Sequence, residues 1–191
     1  MSQLSADWEK LRQELLQLLL DRAYKEGDFV LSSGARSNYY INGKEVTLHP
    51  VGAQLIGRLL LEWLPADTEA VAGLTLGADP IVTAVSVVSA YENRPLPALI
   101  IRKEAKGHGT QAYIEGPKLA EGARVAVLED VVTTGASAMK AVKRLRDAGY
   151  RVDRVLAVVD REAGGAQLYD REGLQFHALV SIAELQRGVR D

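Results

Sequence analysis

Four short, continuously apolar segments between residues 70 and 160 constrain the fold of the chain more than any other feature. The segments are "AVAGLTL" (70–76), "ALIIR" (98–102), "RVAVLED" (124–130) and "VDRVLAVVD" (152–160). Continuous apolar runs of this length are typical of strands buried on both faces of a sheet. The segments 79–91 and 137–149 between them are predicted to be helices, a long polar loop (104–122) follows the second segment, and "FHALVS" (176–181) suggests a fifth strand. The alternation predicts an α/β fold with a mostly parallel, twisted sheet flanked by helices.

The first 69 residues follow other patterns. Ser5 is predicted to cap a helix that continues to Gly27. Pro50 is predicted to begin a second, amphipathic helix, with these residues on one side: Val51, Leu55, Ile56, Leu59, Leu60 and Trp63. These residues and the C-terminal tail are predicted to form a hood over a core at about residues 70–175. The length of 191 residues suits a single domain.

Composition narrows the class of protein. The chain is 47% hydrophobic and 25% charged, as in ordinary globular proteins, and its net charge of −2 favours neither a nucleic-acid nor a membrane partner. It contains no cysteine, which excludes disulfide bonds and thiolate metal sites and suits a reducing compartment. Neither a secretory signal nor an apolar stretch near the ~20 residues of a membrane span is recognised. We therefore expect a cytoplasmic protein.

The segment "VAVLEDVVTTGASA" (125–138) carries the first candidate site. Glu129 and Asp130 are predicted to lie at the carboxyl end of a strand, where open α/β sheets bind ligands. The next residues lead into a helix whose free N–H groups suit an anion, and carboxylates accept hydrogen bonds from hydroxyl groups. Each residue alone also fits ordinary turn and helix-cap chemistry. The combination predicts a sugar-phosphate site, whereas the dinucleotide and P-loop phosphate motifs are both missing.

This segment resembles the phosphoribosyl-pyrophosphate (PRPP) loop of the type I phosphoribosyltransferases. The resemblance implies that Glu129 and Asp130 contact the ribose hydroxyls of PRPP. It also implies that the following residues bind the 5-phosphate, namely Val131, Val132, Thr133, Thr134, Gly135, Ala136 and Ser137. We expect Mg²⁺ as the cofactor, held through PRPP and water, because no cluster of side chains has metal-ligand spacing.

A second candidate site is the basic segment "RKEAKGHGT" (102–110), which follows the second core strand. Arg102, Lys103, Lys106 and His108 are candidate PRPP-binding residues, because a cationic loop neutralises a departing pyrophosphate group and excludes water. Lys106 and His108 are the candidate catalytic residues, through charge stabilisation or proton delivery. The alternative is a solvated surface loop of mixed charge.

The basic segment is also similar to the catalytic loop of the orotate phosphoribosyltransferase family, in which an Arg-Lys pair and Lys-x-His-Gly follow in the same order. "LSSGARSNYYING" (31–43) and "VVDREAGG" (158–165) resemble two further motifs of that family. The resemblance implies that Tyr39, Tyr40 and Thr133 contact orotate and that Arg161 faces its carboxylate. A guanidinium group suits that role, because its fork of donors matches a planar carboxylate.

The resemblance implies a reaction and an assembly. Orotate and PRPP would give orotidine 5′-monophosphate and pyrophosphate, a step of pyrimidine biosynthesis. The protein would be a homodimer in which the 102–115 loop reaches the site of the neighbouring subunit. The chain departs from many members of the family at Ser32 and Gly77, where they have lysine, and Lys44 is a candidate substitute.

Three alternatives stay open at this stage. The chain could use a purine or another pyrimidine as acceptor, although Arg161 and the basic segment favour orotate. It could be a PRPP-sensing regulator that binds nucleic acid, which its net charge disfavours. It could also be a non-catalytic relative, given the two absent lysines.

Overall fold

The computed structural model describes residues 6–30, 34, 36–106 and 113–189. The helices and strands of these residues follow in chain order: α1 (Ala6–Arg22), β1 (Tyr24–Val30), β2 (Arg36–Ile41), α2 (Lys44–Thr47), α3 (Pro50–Trp63), β3 (Ala70–Leu74), α4 (Asp79–Tyr91), β4 (Ala98–Ile101), β5 (Ile114–Glu115), β6 (Val125–Val132), α5 (Ala136–Asp147), β7 (Arg154–Asp160), α6 (Gly165–Arg171), β8 (Gln175–Ser181) and α7 (Ile182–Gly188).

Six of the strands form one sheet in the order β5-β4-β3-β6-β7-β8. All neighbours in it are parallel except β5, which pairs antiparallel with β4. The strands β1 and β2 form a separate antiparallel hairpin. This arrangement confirms the predicted α/β class, in which the crossover helices cover a parallel sheet.

Both faces of the sheet are buried, as the continuous apolar strands predict. Successive residues of a strand point to opposite faces, so Leu128 joins one hydrophobic cluster and Val127 the other. The first cluster includes Leu15 and Leu19 of α1, and the second includes Val142 of α5. The predicted hood therefore shares the core of the sheet. The division into core and hood stays a proposal, and the sheet itself continues to Ser181.

The N-terminal region differs from its prediction in two places. The helix α1 ends at Arg22 rather than Gly27, because Tyr24 already pairs with Ile41 in the hairpin and Gly27 lies in β1 at an irregularity of the register. Val51 is 48% exposed, since it lies in the first turn of α3, beyond the packed face. The predicted start of α3 at Pro50 is confirmed, whereas Ser5 lies outside the described residues.

The chain from residue 70 onward follows the prediction more closely. The helix α4 has the predicted bounds, and β3, β4, β7 and β8 occupy the predicted segments. The two-residue strand β5 and the short helix α6 were not predicted. No helix of the described ranges combines the length and apolar character needed to span a membrane.

Candidate active site

The candidate site lies at one edge of the sheet, where four neighbouring parallel strands reach their carboxyl ends. The segments after them are 75–78 following β3, 102–106 following β4, 133–135 following β6, and Arg161 following β7. Backbone hydrogen bonds join neighbouring segments. The Thr75 N–H donates to the Ile101 carbonyl at 2.9 Å, and the Arg161 N–H donates to the Val132 carbonyl at 2.8 Å. The sequence-predicted residues thus come from segments that the sheet places side by side.

The two carboxylates lie inside β6 rather than at its end. The prediction that the strand ends at Asp130 is wrong, because Val131 and Val132 continue the pairing with β7. Glu129 is only 6% exposed, and Asp130 is half-buried. Among the described residues, Oε2 of Glu129 has no hydrogen-bond partner. A buried acceptor without a partner favours a ligand that supplies a hydroxyl donor.

Burial changes the acid chemistry of this pair. Desolvation of the Glu129 carboxyl group, followed by the charge of Asp130 and a hydrogen bond with it, raises the pKa of Glu129 to about 8. The positive charge of Lys103 acts in the opposite direction on the same pKa. Burial therefore favours the neutral form of the Glu129 carboxyl group. A cation placed beside the pair favours the charged form of Glu129.

The segment after the pair encloses a small cavity of about 90 Å³. Its lining residues are Glu129, Val131, Val132, Thr133, Thr134, Gly135, Ala136, Ser137, Ala138 and Tyr169. Gly135 has φ +82 and is the N-cap residue of α5, and no side chain of the described residues caps this helix. The alternative in which a threonine side chain caps this helix is therefore not what the structure shows. The start of α5 faces the cavity with its N–H groups and positive dipole end, which suits a phosphate.

Tyr169 of α6 is a residue of this site that the sequence did not indicate. Its side chain is fully buried, and its hydroxyl donates to the Gly135 carbonyl at 3.4 Å. A Cβ atom at Gly135 would lie 2.9 Å from Cζ of Tyr169. The ring therefore packs directly beneath the turn that begins α5, and it forms part of the wall of the small cavity.

Arg161 meets the β1–β2 hairpin across the site. Its Nε donates to the hydroxyl of Tyr39 at 3.1 Å, and its guanidinium carbon lies 4.9 Å from the centre of the Tyr39 ring. Tyr40 points to the opposite face of the hairpin, where its ring lies 5.7 Å from that of Phe29. The structure therefore brings Tyr39 to Arg161 but does not bring Tyr40 there.

The basic segment is held at its base by an acidic residue that was not predicted. Oε1 of Glu115 in β5 lies 3.2 Å from Nη1 of Arg102 and 3.8 Å from Nζ of Lys106. The Lys103 side chain is exposed. His108 lies outside the described residues. Glu115 therefore lies beside two of the predicted cations, in exposed ion pairs that are also compatible with the solvated-loop alternative.

Two glycines bring distant loops against Asp130. A Cβ atom at Gly77 would lie 2.7 Å from Oδ2 of Asp130, and one at Gly43 would lie 3.7 Å from its Cβ. Lys44 follows Gly43 at the start of α2, so the candidate substitute cation begins next to the carboxylate pair. Ser32 lies outside the described residues. No group of three or more potential metal ligands occurs in the part of the chain that the structure describes.

Known proteins resemble the chain over most of its length. It is 72% identical over 183 residues to the orotate phosphoribosyltransferase of Nostoc sp., an alignment that covers 96% of this chain and 89% of the relative. The Mycobacterium tuberculosis orotate phosphoribosyltransferase in complex with Fe(III) dicitrate has a TM-score of 0.82 and 41% identity, covering 92% of this chain and 98% of that one. The structure of the same enzyme in complex with PRPP has a TM-score of 0.78 and 37% identity, and the match covers 92% of this chain and 99% of that one. No family model matches the chain.

Proposed function

Because the chain belongs to the orotate phosphoribosyltransferase family, we propose how its own residues carry out the transfer of the phosphoribosyl group from PRPP to orotate. The products are orotidine 5′-monophosphate and pyrophosphate. The N1 nitrogen of orotate attacks C1 of the ribose while pyrophosphate departs. Binding and orienting two substrates in one site and stabilising the departing charge are enough to accelerate such a step.

One observation carries the proposal. A single cavity is lined both by Glu129, whose Oε2 has no partner among the described residues, and by the start of α5 at Gly135. A hydroxyl acceptor and a phosphate-binding turn in one small cavity suit a ribose 5-phosphate, which carries both groups. In this assignment Glu129 and Asp130 bind the ribose hydroxyls, and the residues 131–137 bind the 5-phosphate.

The acceptor and the leaving group lie on either side of the ribose in this proposal. Arg161 binds the carboxylate of orotate, with Tyr39 and Thr133 beside the ring. Arg102, Lys103, Lys106 and His108 bind the pyrophosphate of PRPP, and Lys106 and His108 stabilise it as it leaves. A direct contact of Tyr40 with orotate stays a prediction, since its ring packs on Phe29.

Mg²⁺ is the proposed cofactor. The donors on this chain fit the ion indirectly, since Glu129 and Asp130 are hard oxygen acceptors suited to the ribose hydroxyls or to water, and Mg²⁺ commonly keeps waters beside substrate phosphates. When bound, the ion would neutralise charge on the pyrophosphate group. Removal of Mg²⁺ with a chelator should abolish turnover, and addition of the ion should restore it. The cytoplasmic location also stays a prediction.

The test of the assignment is the loss of orotate absorbance in the presence of PRPP and Mg²⁺. We expect turnover by the wild type and a fall of about a hundredfold in kcat for Lys106→Ala. Lys118→Ala, a change of an exposed lysine outside the basic segment, is the matched control and should leave kcat unchanged. Equal rates for the wild type and Lys106→Ala would remove Lys106 from the catalytic residues.

A comparison of acceptors separates the remaining alternatives. Orotate should react, whereas uracil, adenine and hypoxanthine, which lack the carboxylate, should not, because Arg161 would be left without its partner. PRPP binding without turnover of orotate would favour the non-catalytic relative. A salt-sensitive shift of DNA or RNA in a gel would favour the regulator.

We also propose the homodimer, for which an exposed apolar face supplies support. A groove of about 910 Å³ lies between α3 and α4, and apolar residues at and beside it are exposed: Leu48, Val51, Leu76, Val87 and Tyr91. Apolar patches of this kind mark protein interfaces. Val87→Asp should give monomers in light scattering after gel filtration. Val30→Asp, at another exposed valine, is the matched control and should leave the dimer intact.

A mixing experiment tests whether the 102–115 loop completes the neighbouring site. Lys106→Ala and Asp130→Asn should each be inactive alone. If the loop acts between subunits, subunit exchange at equal amounts restores about a quarter of wild-type activity, because half the dimers then contain one intact site. No recovery after proven exchange would place the loop at the site of its own subunit.

A further inference from the structure

The side chain of Arg144 in α5 contacts residues at both described ends of the 102–115 loop. Its Nη1 donates to the carbonyl of Arg102, and its Nη2 donates to the carbonyl of Lys103 at 2.9 Å. Its guanidinium carbon lies 4.0 Å from the centre of the Tyr113 ring, where the loop returns to the sheet. Neither the motifs nor the reaction gives this arginine a role.

The contacts join two parts of the site that the sheet leaves on separate strands. Arg102 and Lys103 follow β4, whereas α5 begins at the phosphate-binding turn that follows β6. The Arg102 N–H also donates to the Tyr113 carbonyl at 2.8 Å, so the two ends of the 102–115 loop are paired where Arg144 contacts them. The helix that begins at the phosphate therefore holds the backbone that carries Lys103.

We propose that Arg144 is a positioning residue, which fixes the carbonyls of Arg102 and Lys103 against α5 and thereby sets the Lys103 side chain at the PRPP site. The inference rests on the proposed role of Lys103 in binding PRPP. The Lys103 side chain is exposed, and it belongs to none of the ion pairs among the described residues. Its positive charge nevertheless acts to lower the pKa of Glu129. Its backbone is consequently the part that the fold holds in place.

Only arginine supplies all three contacts together. The guanidinium fork donates to two successive carbonyls while its flat face lies on an aromatic ring. A lysine at this position keeps the charge but offers a point donor and no planar face. Arg144→Lys therefore removes the geometry while it preserves the charge of the surface.

The test is a double-substitution cycle of Arg144→Lys with Lys103→Ala, read from the KM and kcat for PRPP and for orotate. We expect Arg144→Lys to lower kcat/KM for PRPP about tenfold and to leave the KM for orotate unchanged. In the Lys103→Ala background the same change should cost less than about twofold, because the residue through which it acts is gone. The matched control is Arg146→Lys. Arg146 is exposed in the wild type, and it donates to the Val152 carbonyl, away from the basic segment.

The outcomes separate the inference from its premise. If Lys103→Ala leaves the KM for PRPP unchanged, the proposed role of Lys103 fails. If Lys103→Ala raises that KM but Arg144→Lys does not, only the role of Arg144 is overturned. Arg144→Lys could also lower kcat/KM for PRPP equally in both backgrounds and lower the melting temperature, while Arg146→Lys leaves the melting temperature unchanged. This result would show that Arg144 has a structural role, and it would also overturn the proposal.

Discussion

The buried carboxyl group of Glu129 makes the stability of the fold depend on pH in a way that one substitution should remove. Its pKa rises from 4.5 to about 8 on folding, chiefly through burial. Between these values the unfolded chain releases a proton that the folded chain keeps, so the free energy of unfolding falls as the pH rises. At about 1.4 kcal/mol per pH unit, the loss amounts to about 5 kcal/mol between pH 4.5 and pH 8.

Glu129→Gln preserves the shape of the side chain and cannot ionise. The variant should match the wild type near pH 5 and exceed its free energy of unfolding by about 4 to 5 kcal/mol at pH 9. A difference of this size is a large part of the stability of an ordinary domain. Urea unfolding at pH 5, 7 and 9, followed by tryptophan fluorescence, measures it.

The control is Glu62→Gln, at an exposed glutamate of α3, which should show no pH-dependent gain. The reasoning is refuted if Glu129→Gln differs from the wild type by the same amount at pH 5 and pH 9. Such a result would mean that Glu129 is ionised in the folded protein throughout this range.

Three further changes test separate contacts. Gly135→Ala places a Cβ atom 2.9 Å from the Tyr169 ring at φ +82, so it should raise the KM for PRPP at least about tenfold in steady-state kinetics. Arg161→Lys should raise the KM for orotate about tenfold with little change for PRPP, because a point donor replaces the fork on a carboxylate. Arg94→Ala removes donors to the carbonyls of Leu64 and Pro65, and urea unfolding should show a loss of about 2 kcal/mol.

The fold was predictable where burial leaves a continuous signal along the chain. The strands β3, β6 and β7 are buried on both faces, so their apolar runs stand out in the sequence. The hairpin gives no such signal, because most residues of β1 are exposed and Gly27 interrupts its register. The helix α6 has seven residues, too few for helical spacing to be recognised.

The site was predictable where its residues are neighbours in sequence. Glu129 and the residues that follow it form one continuous motif, whereas Tyr169 reaches Gly135 across a separation of 34 residues that only the fold brings together. Glu115 and Arg144 likewise meet the basic segment through the pairing of β4 with β5 and the position of α5. The difference between Tyr39 and Tyr40 depends on strand alternation, and "RSNYYI" of β2 has no alternating apolar pattern that would reveal it.

The absence of a side chain at Gly77 lets its loop lie directly against the carboxylate of Asp130, and it limits which residues position 77 can accept. A Cβ atom at this position would approach both carboxylate oxygens of Asp130 within 2.8 Å. A mutation to lysine would therefore turn Asp130 away from its present rotamer before the new ammonium group reached any substrate. A side chain at position 77 and the present orientation of the Asp130 carboxylate therefore exclude each other, so the two positions are expected to change together.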